Sequence, residues 1–157
     1  MASSQGKIKT LRKLLTLRQL WGWQGKRVVF TNGVYDILHA GHVQLLDRAR
    51  ALGDVLIVGL NSDSSARRLG KGRGRPVNAW RDRAAVLCAL ASVDAVVSFG
   101  EDTPAALLKS LRPDILVKGA DYRPDQIAGA SFAGKVERIP LKKGYSTTAL
   151  IRRLQGL

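Results

Sequence analysis

The chain has 157 residues, enough for one domain with a real core and little room for a second. A hydrophobic fraction of 45% fits a globular protein, a single cysteine excludes an internal disulfide framework, and no apolar run nears the ~20 residues that span a bilayer. The net charge of +14 points to polyanionic partners, whether nucleic acid, an anionic surface or small multiply charged substrates.

Met1–Lys26 is rich in basic residues and holds no carboxylate, the first acid being Asp36. Such a start is similar to an organelle transit peptide. However, Thr16 is a good N-cap, and Leu17, Leu20 and Trp21 make an i, i+3, i+4 stripe. Residues 1–26 are therefore expected to form a basic helical segment packed on a domain of residues 27–157, with only the first few residues disordered. Val28-Val29-Phe30 predicts a buried strand, and Asn32-Gly33 a tight turn on residues that tolerate positive φ. Leu45, Leu46, Ala49 and Leu52 recur at helical spacing, with Gly53 as the stop. The run 54–60 reads as a strand buried on both faces, ending in a polar turn at Asn61-Ser62-Asp63-Ser64. Asn78 is placed to cap a helix that carries Ala84, Val86, Leu87 and Leu90 inward, with Cys88 packing in the same apolar run. Residues 93–99 form the next strand. Thr103-Pro104 then starts a helix with proline at its first position, which ends before Arg112-Pro113. Ile115-Leu116-Val117 and residues 136–139 are the last strands, and Ser146-Thr147-Thr148 opens a final helix through Leu154.

This alternation predicts an α/β fold, a Rossmann-like open parallel sheet with helices on both faces. Ligands of such sheets lie beyond the carboxyl ends of the strands. The walls of one pocket are thus expected at Asn32–His42, Asn61–Asp63, Lys118–Tyr122 and Gly144–Thr148.

The two histidines of the chain, His39 and His42, fall together at a strand-to-helix join. A helix N-terminus offers free N–H groups and the positive end of its dipole, which favour a phosphate. Gly33 and Gly41 let a phosphate approach the main chain, and histidines three apart can reach the same anion. The stretch reads as a phosphoryl-transfer site. Zinc would need three or four protein ligands, so no metal is assigned. The loop Arg67–Pro76 interleaves arginine and lysine with glycine, either as a solvated linker or as a lid whose cations close over phosphates.

The run Asn32-Gly33-Val34-Tyr35-Asp36-Ile37-Leu38-His39-Ala40-Gly41-His42 closely resembles the HxGH signature of the cytidylyltransferase-like nucleotidyltransferase superfamily. The resemblance implies that His39 and His42 contact nucleotide phosphates and stabilise the pentacoordinate transition state at the α-phosphorus. Residues 145–152 are similar to the family's ISSTxIR-like element, which contacts the β and γ phosphates. A finer resemblance, to the heptose-1-phosphate adenylyltransferases of lipopolysaccharide-core sugar synthesis, runs from about Lys7 to Leu154. It is carried also by residues 61–64, 74–78, 82–87, 93–94, 101–104 and 117–122. Val34 and Tyr35 stand where Cys-Phe is common, and Ala120 where glycine is usual.

On this resemblance the reaction is ATP plus D-glycero-β-D-manno-heptose 1-phosphate giving ADP-heptose and pyrophosphate. His39, His42 and Lys118 are the implied catalytic residues. Thr31, Asn32, Gly33, Gly41, Asp121, Ser146, Thr147 and Thr148 would bind the nucleotide, and Asp36, Asn61, Asp63, Lys71, Arg73, Arg75 and Arg83 the substrate. Mg²⁺ would be carried by ATP. The resemblance also implies a stand-alone cytoplasmic enzyme, with its sugar kinase encoded separately. It would be a homo-oligomer, with the Trp21/Trp23 pair as a contact, and without membrane or specific nucleic-acid partners. A sister enzyme using CTP, or an acceptor such as glycerol 3-phosphate or FMN, would share the histidine site. A basic nucleic-acid-binding module would explain the charge but leave that site idle.

Overall fold

The computed structural model describes residues 4–156, so the expected disorder of the first few residues lies outside the described residues. Strands β1 (Val28–Gly33), β2 (Val55–Asn61), β3 (Ala95–Phe99), β4 (Ile115–Gly119) and β5 (Lys135–Ile139) form one sheet in the order β3-β2-β1-β4-β5. Every pairing is parallel, and β1 runs beside β2 in register from Val28 against Val55 to Gly33 against Leu60. The chain winds outward from β1 to β3, then crosses back to β4 and β5. The reversal opens a crevice at the carboxyl end of β1, where ligands of open α/β sheets bind.

Alternation along the strands divides the core into two layers. Leu56, Val58 and Val117 point to one face, where they meet Leu46 of α2 (Ala40–Arg50) and Leu87 of α4 (Trp80–Ala89). Phe30, Ile57 and Leu116 point to the other, against Leu14 of α1 (Leu11–Trp23) and Leu108 and Leu111 of α5 (Ala105–Leu111). All of these side chains are essentially inaccessible to water, each contributing on the order of 1.5–3 kcal/mol. The remaining two α-helices, α3 (Asp63–Arg68) and α6 (Thr147–Leu154), stand at the carboxyl end of the sheet.

Several local expectations shift. Helix α1 starts at Leu11 rather than beyond Thr16, because Thr10 accepts the N–H of Lys13 as its cap. The inward residues are then Leu14, Leu15 and Trp21. Leu20 is exposed, and of the two tryptophans only Trp23 stands open, at 84% exposure. Just before α1, Lys9 donates its N–H to Val96 (2.8 Å) and Ile8 pairs with the same residue, covering the outer edge of β3. Asn32 and Gly33 continue β1 instead of turning, and the positive φ falls on Tyr35, at 46°. Gly53 is required by contact rather than by conformation, since a Cβ there would lie 2.7 Å from the Arg27 carbonyl oxygen. The polar turn after β2 is the start of α3, capped by Ser62. Ala79, not Asn78, precedes α4, whose inward stripe is Arg83, Ala84, Leu87 and Cys88 while Val86 faces water. Periodicity alone misses this stripe because one of its members is a charged residue. Pro104 occupies the N-cap of α5 rather than its first helical position.

Candidate active site

The turn that leaves β1 satisfies its own backbone with imidazole. His39 is the N-cap of α2, and its Nδ1 accepts the N–H of Gly41 at 3.1 Å. His42 reaches back, and its Nδ1 accepts the N–H of His39 at 3.4 Å. This is a capping box built from two histidines instead of Ser and Glu. With each Nδ1 acting as an acceptor, a neutral ring carries its proton on Nε2, which is left to donate to a ligand. The rings stack with centroids 3.8 Å apart, and Tyr35 packs against His42 at 5.2 Å. Burial, then the proximity of His39 and Lys71, pushes the His42 pKa down to about 4, and burial also lowers that of His39. At neutral pH the pair therefore presents two uncharged N–H donors. Gly41 is needed for this packing: a Cβ there would meet His39 at 3.0 Å and Tyr145 at 3.1 Å.

Around this turn lies a frame of paired charges. Asp36 is buried, and its carboxylate accepts Arg75 Nε at 2.6 Å and the N–H groups of Val77 and Asn78, both at 2.9 Å. Burial alone would raise its pKa, but those donors outweigh it and hold the carboxyl below its ordinary value. Arg83 is fully buried and ties three segments together. It donates to the Val34 carbonyl (2.7 Å), the Asn78 carbonyl (3.0 Å) and Asp63 (2.7 Å). Asp36, Asp63 and Arg83, expected to bind substrate, are engaged here in holding the histidine turn to the 75–78 loop and α3. The Thr31 hydroxyl is likewise committed, to the Val117 carbonyl of β4 at 3.1 Å.

Two adjoining cavities open over this frame, of about 290 and 210 Å³. The first gathers Thr31, Asn32, Gly33, Asp36, His39, Gly41, His42, Lys71, Arg75, Lys118, Asp121, Ser146, Thr147 and Thr148. Of the other expected residues, Asn61 lines the second cavity, while Asp63, Arg73 and Arg83 line neither. Lys118, on β4, donates to Asn32 Oδ1, and its amine lies 5.2 Å from the Tyr122 ring centre. Burial brings its pKa down to about 8, with the charge of Asp121 acting against the shift. At the far wall Ser146 caps α6 by accepting the N–H of Ala149 at 3.0 Å, and the Thr147 hydroxyl lies 3.5 Å from the Ile37 carbonyl. The starts of α2 and α6 thus line one cavity, and helix N-termini favour anions.

Tyr122 and Tyr145 line the first cavity from two of the expected walls, whereas Leu141 and Lys142, which also line it, lie outside them. Lys142 sits just past the carboxyl end of β5, so the strand-end rule reaches it once that strand is placed.

The cytidylyltransferase-like family model matches residues 30–153. The chain belongs to the cytidylyltransferase-like family. Its relatives include the Bifunctional protein HldE of Wolinella succinogenes, 48% identical over 98% of this chain. The HldE of Nitratiruptor sp. is 54% identical over 85% of it. The chain spans only about a third of the length of these curated relatives, 32% and 29% respectively. Among solved structures, the lipopolysaccharide core biosynthesis protein from Thermoplasma volcanium superposes with a TM-score of 0.65 at 30% identity, covering 76% of this chain and all of that one. A pantoate-β-alanine ligase from Francisella tularensis shares the fold alone, with a TM-score of 0.63 at 18% identity over 87% of this chain and 67% of its own. The histidine turn and the α6 cap both lie inside the family match. Among the described residues, no helix is long and apolar enough to cross a membrane.

Proposed function

We propose that this cytidylyltransferase-like domain is an adenylyltransferase that transfers AMP from ATP to D-glycero-β-D-manno-heptose 1-phosphate, releasing pyrophosphate and forming ADP-heptose in the cytoplasm. The observation that carries the chemistry is the stacked pair of neutral histidines at the start of α2, facing the start of α6 across one cavity. The heptose assignment is supported by near-50% identity to the HldE proteins and by the likeness to the lipopolysaccharide core biosynthesis protein of Thermoplasma volcanium.

A phosphate oxygen of the sugar 1-phosphate attacks the α-phosphorus in line. The bond from that phosphorus to the bridging oxygen breaks, and pyrophosphate leaves with the electron pair. The nucleophile is already an anion, so no strong base is needed. The site must hold two polyanions together and stabilise charge on the transferred group. The Nε2–H groups of His39 and His42 donate to the α-phosphate oxygens. As neutral donors they give direction without a competing acid–base step at neutral pH. Lys118, held against Asn32, neutralises phosphate at the floor of the cavity. Ser146, Thr147, Thr148 and Lys142 receive the β and γ phosphates, with Lys71 closing from the glycine-rich loop.

Magnesium fits as a passenger on the triphosphate. With the Asp36 carboxylate occupied by its donors, Asp121 is the carboxylate left to the first cavity. No group of three His, Cys, Asp or Glu suited to a metal ion occurs among the described residues. A Mg²⁺ ion commonly keeps several waters and takes one or two carboxylates plus substrate phosphates, and it would supply charge neutralisation on the leaving pyrophosphate.

The deciding experiment is pyrophosphate release in the presence of Mg²⁺, with ATP or CTP paired in turn with heptose 1-phosphate or glycerol 3-phosphate. Release with ATP and the heptose phosphate alone is expected. Release with another pair would discard the heptose assignment, and release with none would discard the transferase reading.

A further inference from the structure

The second cavity adjoins the first and shares Asn32, Gly33, Val34, Lys71, Lys118 and Tyr122 with it. We propose that this second cavity receives the polyol body of the phosphorylated acceptor, and that Thr103 and Gln126 determine specificity by reading its hydroxyls. The inference rests on the adenylyltransferase reading and adds where the acceptor lies and what selects it.

Charge is distributed unevenly between the two spaces. Both lysines that touch the second cavity stand on the shared wall, and the rest of its lining carries no cation. That remaining wall is apolar at Leu69, Pro104 and Ile127 and polar but uncharged at Asn61, Thr103 and Gln126, with Asp102 at the rim. A ligand with its anionic charge at one end and neutral hydroxyls along the rest matches this pattern. Its phosphate meets Lys71 and Lys118 at the seam, and its carbon chain lies beyond. The one aromatic side chain present, Tyr122, is itself on the seam, so nothing in the inner wall stacks on a flavin ring.

In-line displacement supports the same placement. The nucleophile and the leaving pyrophosphate must lie on opposite sides of the α-phosphorus. The α6 cap and Lys142 lie in the first cavity only, and the acceptor then enters from the second.

Within the polar wall, two groups are already held. The Asn61 amide donates to Ser65 Oγ at 2.9 Å, and Asp102 takes Arg68 at 2.6 Å. The side chains of Thr103 and Gln126 make no hydrogen bond among the described residues and are exposed beside the cavity. They come from segments that follow β3 and β4, so both branches of the sheet contribute one reader. A bound hydroxyl would take the place of solvent on each, with no protein contact to break.

Two measurements test this. In the first, pyrophosphate release is followed for Thr103→Val, Gln126→Leu and the double variant. Each lost hydrogen bond is expected to raise the KM for heptose 1-phosphate about fivefold, and the pair about twentyfold, with the KM for ATP within about twofold of wild type. An unchanged acceptor KM, or an equal rise for ATP, overturns the proposal. The second needs no turnover: a Gln126→Cys variant is alkylated with a maleimide, the native Cys88 being buried. Heptose 1-phosphate is expected to slow alkylation of the introduced thiol while ATP alone does not. Protection by ATP alone, or by neither, overturns the assignment of the cavity. Where the wild-type protein uses a different phosphorylated polyol, the heptose reading falls, and labelling with that polyol decides this one.

Discussion

The histidine turn (residues 34–42) and the basic loop (residues 69–76) both reach the first cavity, yet they are held in opposite ways. In the turn, the imidazoles cap the backbone, Tyr35 backs His42, and Arg83 grips the Val34 carbonyl from beneath. In the loop, Gly70, Gly72 and Gly74 all have positive φ, and a Cβ at Gly70 or Gly74 would meet nothing within 4 Å. Its near end continues α3 through the N–H groups of Leu69 and Gly70, and its far end is fastened by Arg75 on Asp36, with the glycine-rich stretch between the two. The first arrangement suits groups that must already be in place when charge develops on the α-phosphate. The second suits cations that admit a substrate and then close over it. Asp36 belongs to both, and through it the open loop is hung from the rigid turn.

Breaking the frame beneath the turn should have the largest effect. Arg83→Met removes one partner of the part-exposed Asp63 and leaves two carbonyls without donors, so a loss of about 2–5 kcal/mol of stability is expected, read as a lower urea midpoint. If the midpoint barely moves, the rigid half of the comparison is wrong. Lys118 comes next. In the proposed mechanism it binds phosphate in its protonated form, and burial brings its pKa down to about 8. Protonation is complete well below that value and is lost as pH rises through it. The kcat/KM for ATP should therefore fall above about pH 8, by up to tenfold per pH unit, and Lys118→Arg should abolish the fall. A flat wild-type profile from pH 7 to 10 would remove Lys118 from phosphate binding.

A subtler test moves the turn without removing a group. Gly41→Ala places a methyl against His39 and Tyr145, and a kcat loss of roughly tenfold is expected with the ATP KM little changed. Within the loop the effects should be uneven, and the smallest of all falls there. Arg73 is exposed and lines neither cavity, so Arg73→Ala should alter kcat/KM by less than about threefold. Lys71→Ala, which removes a cation from both cavities, should cost roughly tenfold. Equal losses at the two positions would show that the loop acts as a diffuse field.

The sequence carried the sheet and the histidine site because both are written locally. Continuous apolar runs mark β1 and β2, and the sole two histidines sit at one strand end. What escaped it depends on partners distant along the chain. Arg83 reads as a free cation until Val34 and Asp63, 49 and 20 residues away, are brought to it. Asp36 looks like a ligand for hydroxyls until the 75–78 loop folds over it, 39 to 42 residues on. Thr103 lies in the 101–104 stretch that carries the resemblance but reads there as a helix start, and Gln126 lies in no quoted motif, so only the cavity between them joins the two. The positive φ expected at Asn32-Gly33 falls on Tyr35 instead, and a Cβ at Gly33 would meet the Tyr35 ring at 3.0 Å, a contact that local sequence does not show.

The central claim is that neutral histidine donors act on the transition state rather than on the bound nucleotide. It is tested most directly by single-turnover kinetics of His42→Ala with saturating ATP and heptose 1-phosphate, alongside a titration of ATP affinity. The expected result is a rate about 10²-fold or more below wild type, with ATP affinity changed by less than about fivefold. A near-wild-type rate, or a loss of affinity as large as the loss of rate, would contradict it.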